Sequence, residues 1–352
     1  MFYQNILYTG KIAFLFCILF IVSGCTEEEL SFHEYTVVIE PFFSEHQSDA
    51  VFLHIPGALR VGNDGYLYLL DVGEQHILKI SADGSIIDTI GNRGQGPGEL
   101  SRVRNFALDD ENNLYLLDDG LRRVSVFRSD GEFINAFTFE GASASSITVN
   151  HQREIALYQT AADHAVITTY DTNGTLYQTF SIIEKHAIER DLGSPEATRF
   201  AGAFINRALI SYNKQSEICI LFLGRFEYQR LAVNGEGSVL NVLEGPAIDS
   251  LRAKEQAIIE NSRRRGERGT FLMNYFADFI SIVDGNFIIL PSNIPILHEI
   301  NANGNLQKVY RLQLHEGSPF RDFALDRIAV SGESELIASD SQNATLWRIN
   351  LE

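Results

Sequence analysis

Two stretches of this 352-residue chain open on arginine in nearly the same words: "RNFALDD" at Arg104–Asp110 and "RDFALD" at Arg321–Asp326. A guanidinium is a planar, permanently charged fork, suited to binding carboxylate or other anionic oxygens in pairs. Arg207 in "INRALI" and Asn274 in "MNYF" take similar places in poorer register. Asp71, Asp118 and Asp340 close "LYLLD", "LYLLD" and "LIASD". Brought to one mouth, these residues would make a ring of guanidinium, amide and carboxylate groups for an anionic ligand. The aspartates also have a simpler use, in which each caps the turn after its strand and pairs with a nearby arginine.

Other chemistry finds less footing. No Gly-x-Ser-x-Gly, paired-carboxylate or Cys–His pattern occurs, and "GES" at Gly332–Ser334 falls in a turn. The nine histidines show no His-x-His or His-Glu-x-x-His spacing, so zinc is not expected. Calcium would find Asp and Asn oxygens at the mouth, but the adjacent arginines repel a cation. No cofactor is expected, and an enzyme is the less favoured reading. The glycine-rich "GNRGQGPGELS", Gly91–Ser101, invites a phosphate-loop reading. That reading needs a helix N-terminus after the glycines. Here "SIIDTI" precedes the loop, but the segment after it, "RVRNFALDD", is strand-like and carries no Gly-Lys-Ser/Thr. The loop is expected to join two sheets.

These residues are positioned by a repeat. "GYLYLLDVGEQHILKISADG" from Gly65 and "NNLYLLDDGLRRVSVFRSDG" from Asn112 share "LYLLD" and a closing "DG", and Asp118 follows Asp71 by 47 residues. "SELIASDSQNATLWRINLE" repeats the unit at the C-terminus, and weaker copies end at Gly174, Gly235 and Gly304. Asp-Gly and Asn-Gly turns, which need positive φ, are strong hairpin signals. A further strand follows each turn, and a short one precedes each unit, such as "NFALDD" (Asn105–Asp110) and "DFALDR" (Asp322–Arg327). The chain therefore reads as all-β: a six-bladed β-propeller of four-stranded antiparallel blades over 35–352. The last unit stops one strand short, so "YTVVIEPFF", Tyr35–Phe43, is expected to close the ring from the N-terminal side. Two insertions interrupt the spacing, near 183–201 and 246–269, and the second has the apolar spacing of a surface helix. Its Arg263–Arg265 run with Arg268 is read mainly as a charge-matched helix C-terminus.

"GNRGQGPGEL" with "VRNFALDDENNLYLLDDGLRRVSVFRSDG" resembles an NHL-type repeat. The whole chain resembles the six-bladed β-propeller lipoproteins of Bacteroidota, a family that implies a fold far more firmly than a function. The N-terminus fits. Lys11, the eleven apolar residues Ile12–Val22 and "VSGC" read as a lipoprotein signal over 1–24, with Cys25 the lipidated residue. Residues 25–34 form an acidic tether in which Glu27–Glu29 resemble a surface-export signal. The expected address is the outer membrane, surface-exposed, or otherwise facing the periplasm. Cys17 would leave with the signal, and Cys219 remains as a buried thiol with no disulfide partner.

The formal net charge of −18 argues against nucleic acid and against a membrane contact beyond the lipid. The expected function is a binding module whose axial face takes a glycan, a peptide or an envelope protein. The alternatives are a hydrolase or lyase using the axial channel, and a non-catalytic scaffold of a surface complex.

Overall fold

The computed structural model describes residues 32–42, 56–160, 165–182, 204, 206–232, 238–266, 274–282, 284–318, 320–343 and 345–352. Cys25, the signal and the insertion near 183–201 lie outside them. By backbone contacts the chain divides into Met1–Ser31 and Phe32–Glu352, and all described residues belong to the second unit.

That unit is a six-bladed, all-β propeller. Blade one is β2–β5 (Pro56–Val61, Leu67–Asp71, His76–Ile80, Ile86–Ile90), and blade two is β8–β11 (Val103–Leu108, Leu114–Asp118, Arg123–Phe127, Phe133–Thr138). Between them lies a two-residue ribbon, β6 (Asn92–Arg93) with β7 (Glu99–Leu100). Blade three is β12–β15 (Ser143–Val149, Ile155–Thr160, Ala165–Tyr170, Leu176–Ser181). Blade four is β16–β19 (Ala208–Tyr212, Ile218–Phe222, Glu227–Leu231, Ser238–Val242), and blade five is β20–β23 (Phe276–Ser281, Phe287–Pro291, Ile296–Ile300, Leu306–Leu314). Blade six joins β24–β26 (Arg327–Val330, Glu335–Asp340, Thr345–Asn350) to β1 (His33–Pro41).

The middle strands are buried on both faces. Every residue of "LYLLD" in β3 and β9 is buried, because each sheet packs between two neighbours. The turns repeat one device. Asp109, Asn150 and Asn213 each accept, through Oδ1, the N–H groups two and four residues on, at 2.8–3.0 Å. The outer hairpins turn through glycine in the left-handed region, as at Gly84 (φ 88°) and Gly304 (φ 84°).

Closure differs from a plain fourth strand. β1 runs antiparallel to β26 only over Ile39–Pro41, where Ile39 faces Ile349 and Pro41 faces Trp347. Over His33–Ile39 it runs parallel to β23, with His33 beside Lys308. The strand starts two residues before Tyr35 and knits blades five and six into one eight-stranded sheet. The segment after "VLE" is α1 (Pro246–Arg264), docked through Ala247, Ile248 and Leu251.

One strand is displaced from expectation. The "FALD" of Phe323–Asp326 is not strand, and β24 begins at Arg327. Arg327 pairs with Ser339 just as Asn105 pairs with Leu117, so Arg321 is five residues too early to match Arg104. The reason is packing. Phe320 and Phe323 are drawn off the ladder to cover the ring of buried Trp347, at centroid distances of 5.0 and 6.2 Å.

A candidate ligand site on the axis

The first strand of each blade lines the axis, and in four blades it bulges at the same level: between Pro56 and Leu59, Val103 and Asn105, Ala144 and Ser146, and Phe276 and Asp278. A bulge re-aims the side chain beside it. The innermost strand also leaves backbone N–H groups unpaired, and side chains of the preceding blade fill them. Ser146 Oγ accepts from Ile210 N–H at 3.1 Å, and Asp278 Oδ2 from Ile328 N–H at 2.9 Å.

Above this girdle lies a cavity of about 760 Å³, walled by all six inner strands. Four arginines line it: Arg60 from β2, Arg104 from β8, Arg207 just before β16 and Arg327 from β24. Asn274 and Asp278 add an amide and a carboxylate. The cavity lies where inner strands begin and second strands end, on the face that carries the blade-to-blade connections. β1 enters at the opposite face, because His33 lies beside the start of β23.

The charge balance in the cavity is one-sided. Arg60 donates from Nη1 to the Leu59 carbonyl (2.6 Å) and from Nη2 to Asn105 Oδ1 (3.5 Å), with its head 5.9 Å from the Phe106 ring centroid. Arg327 Nη1 donates to the Asp326 and Ala277 carbonyls at 2.6 and 3.0 Å. Arg104 Nε stands 3.9 Å from Asp119 Oδ2, a carboxylate already bound by Arg102 at 2.9 Å and by the Ser143 hydroxyl at 2.6 Å. The oxygens of Asp278 are spent on the Phe279 and Ile328 N–H groups, both at 2.9 Å. Burial holds the Arg60 guanidinium below its ordinary pKa, with Asp278 opposing and Arg327 reinforcing the shift. Burial, then Arg104 and Arg327, does the same to Arg207. An arginine stays protonated regardless, so its positive charge remains for a ligand to meet.

Of the residues singled out by sequence, Arg104, Arg207 and Asn274 meet in this cavity. Arg321 does not line it and is exposed. Asp71, Asp118 and Asp340 are 3%, 0% and 0% exposed and lie off the cavity wall. They hold turns and blade joints. Asp71 accepts from Glu74 N–H (3.0 Å), and Asp118 from Ser101, Arg102 and Leu121 N–H (2.7, 3.0 and 3.1 Å). Asp340 accepts from Asn343 Nδ2 and Trp347 Nε1 at 2.7 and 3.0 Å. Sequence reasoning missed Arg60 and Arg327. Their signal is an arginine inside or opening an apolar inner strand, "ALRV" and "RIAV", which alignment on Asp71 and Asp340 would have exposed.

The glycine loop forms an anion nest, but the nest is filled from within. The Gln95 and Gly96 N–H groups donate to Glu99 Oε2 at 2.8 and 2.7 Å. Arg123 Nη2 ties the loop to blade two through the Gly96 carbonyl at 2.9 Å. Cys219 is buried, and burial pushes its thiol up to about 12. Among the described residues no three His, Cys, Asp or Glu side chains stand together as metal ligands, and no helix is long and apolar enough to cross a membrane.

Known proteins agree on the architecture. The sequence model of a family described as "6-bladed beta-propeller" matches residues 45–187. NHL repeat-containing protein 3 of Homo sapiens is 31% identical over 101 residues, 26% of this chain and 29% of that protein. Its Mus musculus counterpart is 32% identical over the same length. The chain is a six-bladed propeller that is similar to NHL-repeat proteins over part of its length. Its match spans under a third of those relatives' own length. Among solved structures, the protein is similar to U3-55K, with a TM-score of 0.56 at 11% identity, covering 89% of this chain and 98% of that one. It is also similar to an inactive virginiamycin B lyase of Staphylococcus aureus with quinupristin, with a TM-score of 0.52 at 12% identity, covering 84% and 80%. At such identity the likeness is one of fold alone.

Proposed function

We propose that this propeller is a binding module that takes an acidic ligand into its axial cavity. One observation carries the reading. Four guanidinium groups from four blades converge on one cavity, and among the described residues the only carboxylate in ion-pair reach of any of them, Asp119, is shared and distant from Arg104. Asp278 on the wall offsets part of this charge, the excess in a walled site is costly unless a counter-charge arrives, and arginine forks suit carboxylate, sulfate or phosphate oxygens. A glycan or peptide carrying acidic groups fits this chemistry.

The same proposal places the protein at the outer membrane, held by a lipid on Cys25 and exposed at the surface through Glu27–Glu29. The binding reading is tested by calorimetry with acidic oligosaccharides, acidic peptides and inorganic phosphate. Binding lost in Arg104→Met and Arg327→Met supports it, and binding unchanged in both refutes it. The anchor is tested by Cys25→Ser, which should move the protein from the membrane to the soluble fraction.

A further inference from the structure

We infer that the four guanidinium groups make one anion site, and that the group it takes is a tetrahedral oxyanion, the phosphate or sulfate end of an ester, in preference to a carboxylate. The inference rests on the binding reading above and narrows it.

The arginines start at different heights on their strands and bring their heads to about one level, the girdle of bulges. Arg104, Ser145 and Ala277 are the extra residues of blades two, three and five, and Ala58 lies within the bulge of blade one. Three of these four are small, so space opens beside Arg104 for guanidinium groups from other blades. Arg60 starts lower, paired with Tyr68 as Ala107 is with Tyr115. Its head nevertheless reaches up to the neighbour of Arg104, with Nη2 3.5 Å from Asn105 Oδ1. Arg327 starts one position below Arg104, and its Nη1 is held at the girdle by the Ala277 carbonyl at 3.0 Å. Arg207 starts just above, since its carbonyl accepts from Leu223 N–H as that of Arg102 accepts from Asp119 N–H. The heads are close enough to act on one another. Behind burial, and against Asp278, Arg327 helps to hold the pKa of Arg60 down. Behind burial, Arg104 and then Arg327 do the same to Arg207. Arg327 thus links its neighbours into one cluster.

One compact group of several oxygens suits such a cluster. The forks come from four blades around the axis, and so from several sides. A carboxylate presents two oxygens in one plane, which a single fork fills. The end of a phosphate or sulfate ester carries three free oxygens pointing apart, so forks from different blades can share it. The cluster keeps charge to spend on that group. Arg60 and Arg327 are oriented by uncharged acceptors, the carbonyls of Leu59, Ala277 and Asp326 and the amide of Asn105. Asp119 stands 3.9 Å from Arg104 and is shared with Arg102. Ser145 Oγ, which has no partner among the described residues, adds an unused hydroxyl at the same level. The cavity of about 760 Å³ exceeds one oxyanion and falls in the range of small-molecule sites. The organic part of an ester has room beside the half-buried Phe204 and Leu209.

The test is calorimetry on the full chain in detergent at fixed ionic strength. One series is glucose 6-phosphate, glucose 6-sulfate and glucuronate, which share a sugar frame. The other is inorganic phosphate, sulfate and acetate, which have none. In at least one series a tetrahedral anion is expected to bind at one per chain and about tenfold tighter than the carboxylate, the worth of one added charged contact. Glucose 6-sulfate against glucuronate compares shape at equal charge, and phosphate against sulfate shows which ester the site prefers. Arg104→Met and Arg327→Met should each erase the tetrahedral advantage while leaving the melting temperature within a few degrees. Arg104 is half exposed, so its variant keeps the test alive if Arg327→Met folds poorly. Carboxylate bound as tightly as oxyanion in both series, with binding lost in Arg327→Met, overturns the tetrahedral preference and leaves the binding reading standing. Two oxyanions per chain, both lost in the variants, overturn the single site. An oxyanion preference untouched in both variants overturns the inference as well. So does binding of none of these probes, and if acidic oligosaccharides and peptides also fail to bind, the binding reading falls with it.

Discussion

Charged side chains held inside or around the axial cavity divide into two kinds, and mutation should separate them. Asp118 receives three backbone N–H groups, so Asp118→Ala should cost about 2–4 kcal/mol and leave ligand affinity nearly unchanged in the folded fraction. Arg327 carries charge without a carboxylate partner among the described residues, so Arg327→Met should hold or raise the urea midpoint while binding is lost. If both substitutions damage stability alike, the arginines are structural. His298 makes a pH prediction at the same scale. Its Nε2 accepts the Ala247 N–H of α1 at 3.2 Å, which requires the neutral ring. Burial, with Arg311 adding to it, pushes its pKa down to about 4 from an ordinary 6.5. The unfolded chain therefore binds the extra proton between those values, and stability must fall as pH drops from about 6.5 to 4, by up to about 3 kcal/mol. Urea midpoints across that range should slope less in His298→Gln. An unchanged slope would mean that other groups carry it.

Among the elements, β1 bears most on whether the ring holds. Ile39 is fully buried and sits where β1 passes from β23 to β26, facing Leu314 on one side and Ile349 on the other. Ile39→Ala should cost about 2–4 kcal/mol. The neighbouring Val38 is half exposed, so Val38→Thr should be nearly silent. Trp347, the single tryptophan, is buried opposite Pro41 and reports the opening of blade six through its fluorescence. If tryptophan exposure in Ile39→Ala precedes loss of strand signal, the closure opens before the remaining blades. If the two coincide, ring and blades unfold as one unit. The glycine loop is held by the Glu99 carboxylate from within and by Arg123 from blade two. A Cβ at Gly94 would overlap the Glu99 carboxylate, so Gly94→Ala should loosen the joint between blades one and two.

As a whole the molecule is acidic, at −18, with a basic hollow on its axis. Long-range and short-range fields therefore oppose one another for an anionic ligand. At about 0.01 M salt the screening length is about 30 Å and the acidic exterior repels; at about 0.1 M it is about 10 Å and only the cavity is felt. The association rate should rise between these concentrations and fall beyond them as the cavity too is screened. Stopped-flow rates that only fall with salt would show that the exterior charge plays no part.

The repeat was legible because the blades reuse the same local parts: short apolar strands, a Gly turn between the outer pair and, in blades one, two and six, an aspartate closing the second strand. Asp71, Asp118 and Asp340 mark those parts whatever the fold does around them, and Arg104, Arg207 and Asn274 could be placed near the axis from them. Arg60 and Arg327 could not be placed by the recurring "FALD", because that match aligned a strand with a loop drawn away to cover Trp347. The parallel pairing of β1 with β23 was hidden for a similar reason, since backbone pairing across blades leaves no mark in side-chain pattern. Local sequence by itself determined the strands, the turns and the strand character of β1, because those depend on neighbours in the chain. Only the tertiary structure decided which arginines share a cavity, because ladder register and the convergence of six strands on one axis are set by packing between residues far apart in sequence.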